Sequence, residues 1–192
     1  MLEGQDMEKL KKLEEITLPD NCNTFFVTVN QPTGERREYG VEDLYGEIKL
    51  IELHEVVPEE IRSQFNVARN LSLYTWFCYS FHNVSTLKAY STVEMALRVI
   101  LDKPEKDKPS LWKMMREAVN KHLIKDKHFG HIMEQSLDSQ SKPFVEVLPD
   151  AIAYLRNLEA HGSTARGPWS VMVLRICADI INQLFDKTEA NI

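Results

Sequence analysis

The sequence predicts a mainly α protein, an up-and-down bundle of about five helices with a small N-terminal antiparallel β element. Three observations lead there. From Pro58 onward, apolar residues recur at three- and four-residue spacing in segments separated by proline, glycine and charged loops. Before Pro58, one stretch is instead rich in β-branched and aromatic residues. The length of 192 residues, with 43% hydrophobic and 27% charged content, is enough for one domain with a full core and a small appendage. The division expected is residues 1–57 as an extension, a short helix plus the β element, and 58–192 as the helical bundle.

Met7, Leu10 and Leu13 fall at helical spacing in a charged segment, so residues 5–15 are expected as a short amphipathic helix ended by Pro19 and Asp20. "NTFFVTVN" reads as a strand, "QPTGE" as a turn and "GEIKLIELHEVV" as the partner strand, giving a β element over about 24–56. It is too small to stand alone and must pack on the helices C-terminal to it.

"VPEEIRSQFNVARNLSLYTWFCYSFHN" opens with Pro58 and two glutamates, a favoured helix start. Ile61, Phe65, Ala68, Leu71 and Thr75 form one stripe. Tyr74, Phe77, Cys78 and Phe81 form a second, which reads as core and makes this helix the central one. Asn83 and Ser85 are candidate caps for the next helix, which buries Leu87, Tyr90, Val93, Leu97 and Ile100. A charged loop at Pro104 precedes a third helix starting at Ser110, with Leu111, Met114, Met115, Ala118 and Leu123 inward. Residues 126–143 read as a short helical piece and a loop. A fourth helix spans about 143–160, with Pro149 as an interruption point and Gly162 as its stop. The fifth begins with Pro168 and ends near Phe185.

The net charge of −6 argues against non-specific coating of nucleic acid. The charge is uneven, however: Lys113, Arg116, Lys121, Lys125 and Lys127 lie in one short window against Glu117 and Asp126. That window reads either as a solvated helix face or as a strip for an RNA backbone. Cys22, Cys78 and Cys177 are odd in number and widely spaced, which argues against a disulfide framework and for a cytoplasmic protein with reduced thiols. No apolar run is long enough to span a membrane, and no membrane partner is expected. Phosphate-binding glycine loops, nucleophile elbows and paired cysteine ligands are missing, so kinase, dinucleotide-enzyme and serine-hydrolase readings have no support. His122, His128 and His131 with Glu134 form a rival metal cluster, but their spacing around Gly130 matches no helical zinc pattern, and neither metal nor cofactor is expected.

"YLRNLEAHGSTARGPWS" holds the main site candidate. Asn157 and His161, four apart, share a face in the last turn of the fourth helix beside Arg156. An anion there would meet a guanidinium, an amide, an imidazole and the start of the fifth helix, since the loop Gly162–Gly167 has glycines at both ends. The same cations also suit the negative end of a helix dipole, with Glu159 pairing a neighbouring base, so the residues alone leave both readings open.

The "RNLEAHGS" motif before the final helix of a five-helix bundle resembles the signature of the HEPN superfamily (higher eukaryote and prokaryote nucleotide-binding domains). That signature is an arginine, often followed by a polar residue such as asparagine, then a histidine after four to six intervening positions. The resemblance covers about 58–186. Arg69-Asn70, the other Arg-Asn pair, has no histidine within reach. Members with an intact motif are commonly metal-independent endoribonucleases of toxin–antitoxin or phage-defence systems, with the site formed across a homodimer. The resemblance implies that Arg156 holds the scissile phosphate, His161 acts as general acid or base, and Asn157 positions substrate or histidine, leaving 2′,3′-cyclic phosphate and 5′-hydroxyl ends. Glu94 is the candidate supporting acid, Ser163 follows the motif as in many members, and the basic strip would guide the RNA. A cognate antitoxin or regulatory protein is an implied partner. Other members bind nucleotides, RNA or proteins without cutting, and this non-catalytic module is the alternative reading.

Overall fold

In the computed structural model, residues 9–107, 109–130, 143–162 and 167–186 are described. The chain is mainly helical, a helical bundle with a two-stranded antiparallel sheet near the N-terminus. The sheet pairs β1 (Val27–Val29) with β2 (Arg36–Glu38), in the register Val27 to Glu38 and Val29 to Arg36. Helix α1 (Val41–Lys49) comes next. The bundle comprises α2 (Glu59–Tyr74), α3 (Phe81–Ile100), α4 (Leu111–Asn120), α5 (Phe144–Ala160) and α6 (Ser170–Phe185), matching the five helices expected after Pro58.

The extension departs from the sequence reading in two places. Of the helix expected over 5–15, residues 1–8 lie outside the described residues, and the rest holds only a 3-10 turn, Leu13–Glu15. The partner strand is Arg36–Glu38, and "GEIKLIELHEVV" contributes instead the end of α1 and an irregular run. Glu42 and Asp43 sit in the first turn of α1, and Asp43 Oδ2 accepts the Gly40 N–H at 2.9 Å. Leu44 and Ile48, four apart, supply its buried stripe. The far end is closed from outside: Arg69 of α2 donates to the carbonyls of Ile48 (3.2 Å) and Lys49 (3.3 Å). No local pattern encodes that cap. Arg37 in turn locks β2 to α1 through paired bonds to Asp43 at 2.6 and 2.5 Å. Those bonds, with the Gly40 N–H, hold the Asp43 carboxyl down to about 2.

The central helix is α3, packed against α2, α4, α5 and α6. It buries Ala89, Tyr90, Val93, Ala96 and Leu97, and also His82, Ser85, Thr86 and Thr92. Two of its buried hydroxyls are satisfied by backbone: Ser85 Oγ donates to the Ala68 carbonyl at 2.9 Å and Thr92 Oγ1 to that of Lys88 at 2.9 Å. Asn83 and Ser85 are therefore interior residues of a helix beginning at Phe81 and do not cap it. The aromatic stripe expected as core is also displaced. Tyr74 is 53% exposed, Phe81 faces out, and Phe77 and Cys78 are half-buried, because α2 ends at Tyr74 and the chain turns over residues 75–80.

That turn is made by the extension. Asn23, itself buried, donates through Nδ2 to the carbonyls of Thr75 (3.0 Å) and Trp76 (2.9 Å). The Asp20 N–H donates to Trp76 O at 2.8 Å, and Asp20 Oδ2 accepts the Tyr79 N–H at 3.0 Å. Further bonds join His54 N–H to Asn182 Oδ1 (2.8 Å) and Asn182 Nδ2 to Glu52 O (3.1 Å), so the extension is stitched to α6 as well.

The remaining helices obey their sequence signals. Ser110 caps α4 by accepting the Lys113 N–H at 3.3 Å, and Leu111, Met114, Met115 and Ala118 are buried. Helix α6 buries Leu174, Cys177, Ile180 and Ile181 completely. Pro149 lies inside α5 without interrupting it. The start of α5 is fixed by Asp126, whose carboxylate accepts the N–H groups of Val145 (2.8 Å) and Phe144 (3.2 Å).

Replacing Asn23 with alanine removes both side-chain bonds to the α2–α3 turn. The expected cost is about 1–3 kcal/mol in urea unfolding, with faster proteolytic nicking in residues 20–56. An unchanged midpoint and nicking rate would show that the turn forms without this clamp.

Candidate functional site

The site candidate lies where α5 ends against α3. Gly162 has φ +80°, the left-handed conformation that stops a helix at low cost, and the His161 N–H closes the last turn on the Asn157 carbonyl at 3.0 Å. Across the α3–α5 contact, Glu94 takes Arg156 Nη2 on Oε2 at 3.4 Å and Arg98 Nη2 on Oε1 at 2.9 Å. One half-buried carboxylate thus holds two guanidinium groups. Arg156 Nη1 also reaches Asn157 Oδ1 at 3.4 Å.

The fold therefore brings Glu94, Arg156 and Asn157 into one connected cluster, with His161 exposed one turn beyond. A half-exposed ion pair adds only about 0.2–1 kcal/mol, so Glu94 does more to aim Arg156 than to stabilise the fold. Ser163 and the loop residues through Arg166 lie outside the described residues.

One residue of this cluster escapes the sequence reading. Arg98 has a usable signal, since a glutamate four residues before an arginine on one helix is a standard pair. For Glu159 the expected pairing with a neighbouring base is not seen: it forms no ion pair among the described residues, and its Oε2 is buried without a hydrogen-bond partner there. Burial raises the Glu159 carboxyl above its ordinary range. Arg98 Nη1 is likewise buried and has no hydrogen-bond partner among the described residues, so the cluster keeps a spare donor.

The basic strip is less positive than its count. Arg116 pairs with Asp150 at 3.3 Å and stacks over Trp112, whose Nε1 donates to the same aspartate at 2.7 Å. Lys121 pairs with Glu117 at 2.7 Å, and Lys103 joins that carboxylate at 3.1 Å. Lys113 and Lys127 are exposed, while Lys125 is half-buried with its N–H on Gln183 Oε1 at 2.7 Å. The Arg116–Asp150 pair sets this strip beside the first half of α5. At 1.5 Å per residue, Asp150 is about 16 Å along the helix from His161. Of the rival histidine cluster, His131 and Glu134 lie outside the described residues. No group of three or more potential metal ligands gathers among the described ones.

A second polar cluster joins three helices in the interior. His82 Nδ1 lies 2.7 Å from Ser170 Oγ, which lies 2.6 Å from Ser72 Oγ. Ser170 and Ser72 are fully buried, so neither hydroxyl is open to a substrate, and the serine–histidine contact serves to satisfy polar groups. Burial pulls His82 down to about 4, against a weaker opposing pull from Asp20.

No protein-family model, curated protein or solved structure matches this chain.

The His82 shift carries a sign that can be measured. With its folded value below its unfolded one, the unfolded chain binds the proton first. Stability from this group is complete above about pH 6.5 and lost as pH falls toward 4, by up to about 3 kcal/mol. Urea midpoints at pH 7.5 and 5 should show that loss in the wild type and little of it in His82→Gln, whose neutral amide cannot take up the proton. Asp43 and Glu117, whose hydrogen bonds to basic partners hold their carboxyls low, act at lower pH.

Proposed function

We propose that this chain is a metal-independent endoribonuclease of HEPN type, with Arg156 binding the scissile phosphate and His161 moving the proton. The observation that carries this reading is the Glu94–Arg156–Asn157 cluster beside an exposed histidine at a helix end. The carboxylate orients the guanidinium, which keeps donors for phosphate oxygens. With Arg156 neutralising the phosphate, His161 would take the proton from the ribose 2′-hydroxyl or give one to the leaving 5′-oxygen. The products are then a 2′,3′-cyclic phosphate and a 5′-hydroxyl. No step needs a metal or cofactor.

A homodimer belongs to the same proposal. The outer face of α5 exposes Tyr154, Leu155 and Leu158 next to Asn157 and His161, with Tyr154 66% exposed. An apolar face beside the motif favours a second copy that would complete the cleft. A toxin–antitoxin or phage-defence setting, with a cognate antitoxin or regulatory protein as partner, goes with the proposed family.

One observation favours the non-catalytic alternative, a module that binds a nucleotide, RNA or protein. The His161 ring makes no hydrogen bond among the described residues, so nothing there fixes its tautomer.

Incubating purified protein with total RNA in EDTA tests the proposal. Cleavage should persist with EDTA and fall about 100-fold or more in His161→Ala and Arg156→Ala. Glu94→Gln should bind RNA with little change but cleave more slowly, since it loosens Arg156. If wild type and variants are equally inert on several RNAs, with and without cell lysate, the binding module takes over.

A further inference from the structure

A cavity of about 280 Å³ lies between the extension and the bundle, near the lower end of the range of about 300–1,000 Å³ usual for small-molecule sites. Three aromatic side chains wall it. Phe26 and Tyr39 come from the hairpin side and meet edge to face at 6.4 Å, and Trp76 comes from the α2–α3 turn. Such walls favour a planar ring that can stack or pack edge-on.

The polar groups on the wall are mainly acceptors. Glu47 takes the Tyr39 hydroxyl on Oε1 at 3.1 Å and keeps further lone pairs. Asn23 spends its amide hydrogens on the Thr75 and Trp76 carbonyls, leaving Oδ1. His82 is 5% exposed, lines the cavity, and has Nδ1 committed to Ser170. Its Nε2 has no hydrogen-bond partner among the described residues. No lysine or arginine among the described residues lines this space.

We propose that this cavity binds a small planar aromatic molecule bearing an amine or other N–H donor, and discriminates against aromatic acids. The ring packs among Phe26, Tyr39 and Trp76. The donor reaches the Glu47 carboxylate, and a ring nitrogen or second polar atom meets His82 Nε2. Because burial holds His82 neutral, its imidazole neither repels a cationic amine nor attracts an anion. An anionic ligand would face Glu47 with no compensating cation. Since Pro168 and Val171 at the start of α6 also line the cavity, the occupant would tie the extension to α6. The site does not depend on the ribonuclease reading.

Tryptamine and indole-3-acetate, which share a ring and differ in charge, test this on the full chain. Tryptamine should shift the Trp76 indole N–H and the Phe26 and Tyr39 ring resonances saturably in NMR titrations. Indole-3-acetate should bind at least 10-fold more weakly. Glu47→Gln should weaken tryptamine about 10-fold and narrow the preference; the wild-type titration decides the matter if that variant does not fold. Shifts that never saturate at millimolar tryptamine, shifts confined to other parts of the chain, or equal binding of amine and acid would each overturn the proposal.

Discussion

The architecture depends on one constraint, the clamp that residues 20–23 place on the turn between α2 and α3. A helix end leaves carbonyl groups that need partners. Most helices close with a glycine or a local side chain, yet residues 75–80 contain no glycine. Here Asn23 and the Asp20 N–H take the carbonyls of Thr75 and Trp76, while Asp20 Oδ2 receives the Tyr79 N–H. Two helices thereby fold against each other where the apolar pattern would carry one long helix through. The same clamp puts Trp76 on the cavity wall and lets α3 begin at Phe81, which places His82 within reach of Ser170.

Once α3 is the central helix, its polar residues acquire definite tasks. His82, Ser85 and Thr92 are buried, and each bonds a neighbouring helix or its own previous turn. Beside them the half-buried Glu94 meets both Arg98 and Arg156, while Ala96 and Leu97 stay fully buried. The helix thus combines a polar interior with a half-exposed charged cluster. Helix α5 changes along its length: Leu148, Pro149 and Ile152 are buried, and beyond them Tyr154, Leu155 and Leu158 face outward.

Much of the bundle is legible in the sequence because local chemistry and burial agree there. Ser110 before a strongly one-sided apolar pattern, Gly162 after α5 and Pro168 before α6 each mark a boundary within a residue or two. In the extension they disagree. "GEIKLIELHEVV" reads as a strand, but Leu44 and Ile48 define a helix whose end is capped by Arg69, twenty residues downstream. The aromatic run Tyr74–Phe81 resembles core because hydrophobicity does not say where a helix stops. For the candidate site, the sequence places Arg156, Asn157 and His161 on one helix end. It can name Glu94 as a partner only by analogy, since the α3–α5 contact is not a local property.

The sequence by itself determined the helical class, the start of α4, the limits of α5 and α6 to within a residue or two, and the juxtaposition of Asn157 and His161 at a glycine-stopped helix end. These result from backbone preferences and i, i+4 spacing, which act within a few residues. Only the tertiary structure decided that α3 is central, that Glu94 holds Arg156, that Glu159 forms no ion pair among the described residues, and that the extension closes a cavity on the bundle. Each depends on which polar groups from distant segments satisfy one another once water is removed. That pairing has no signature in any single stretch of chain.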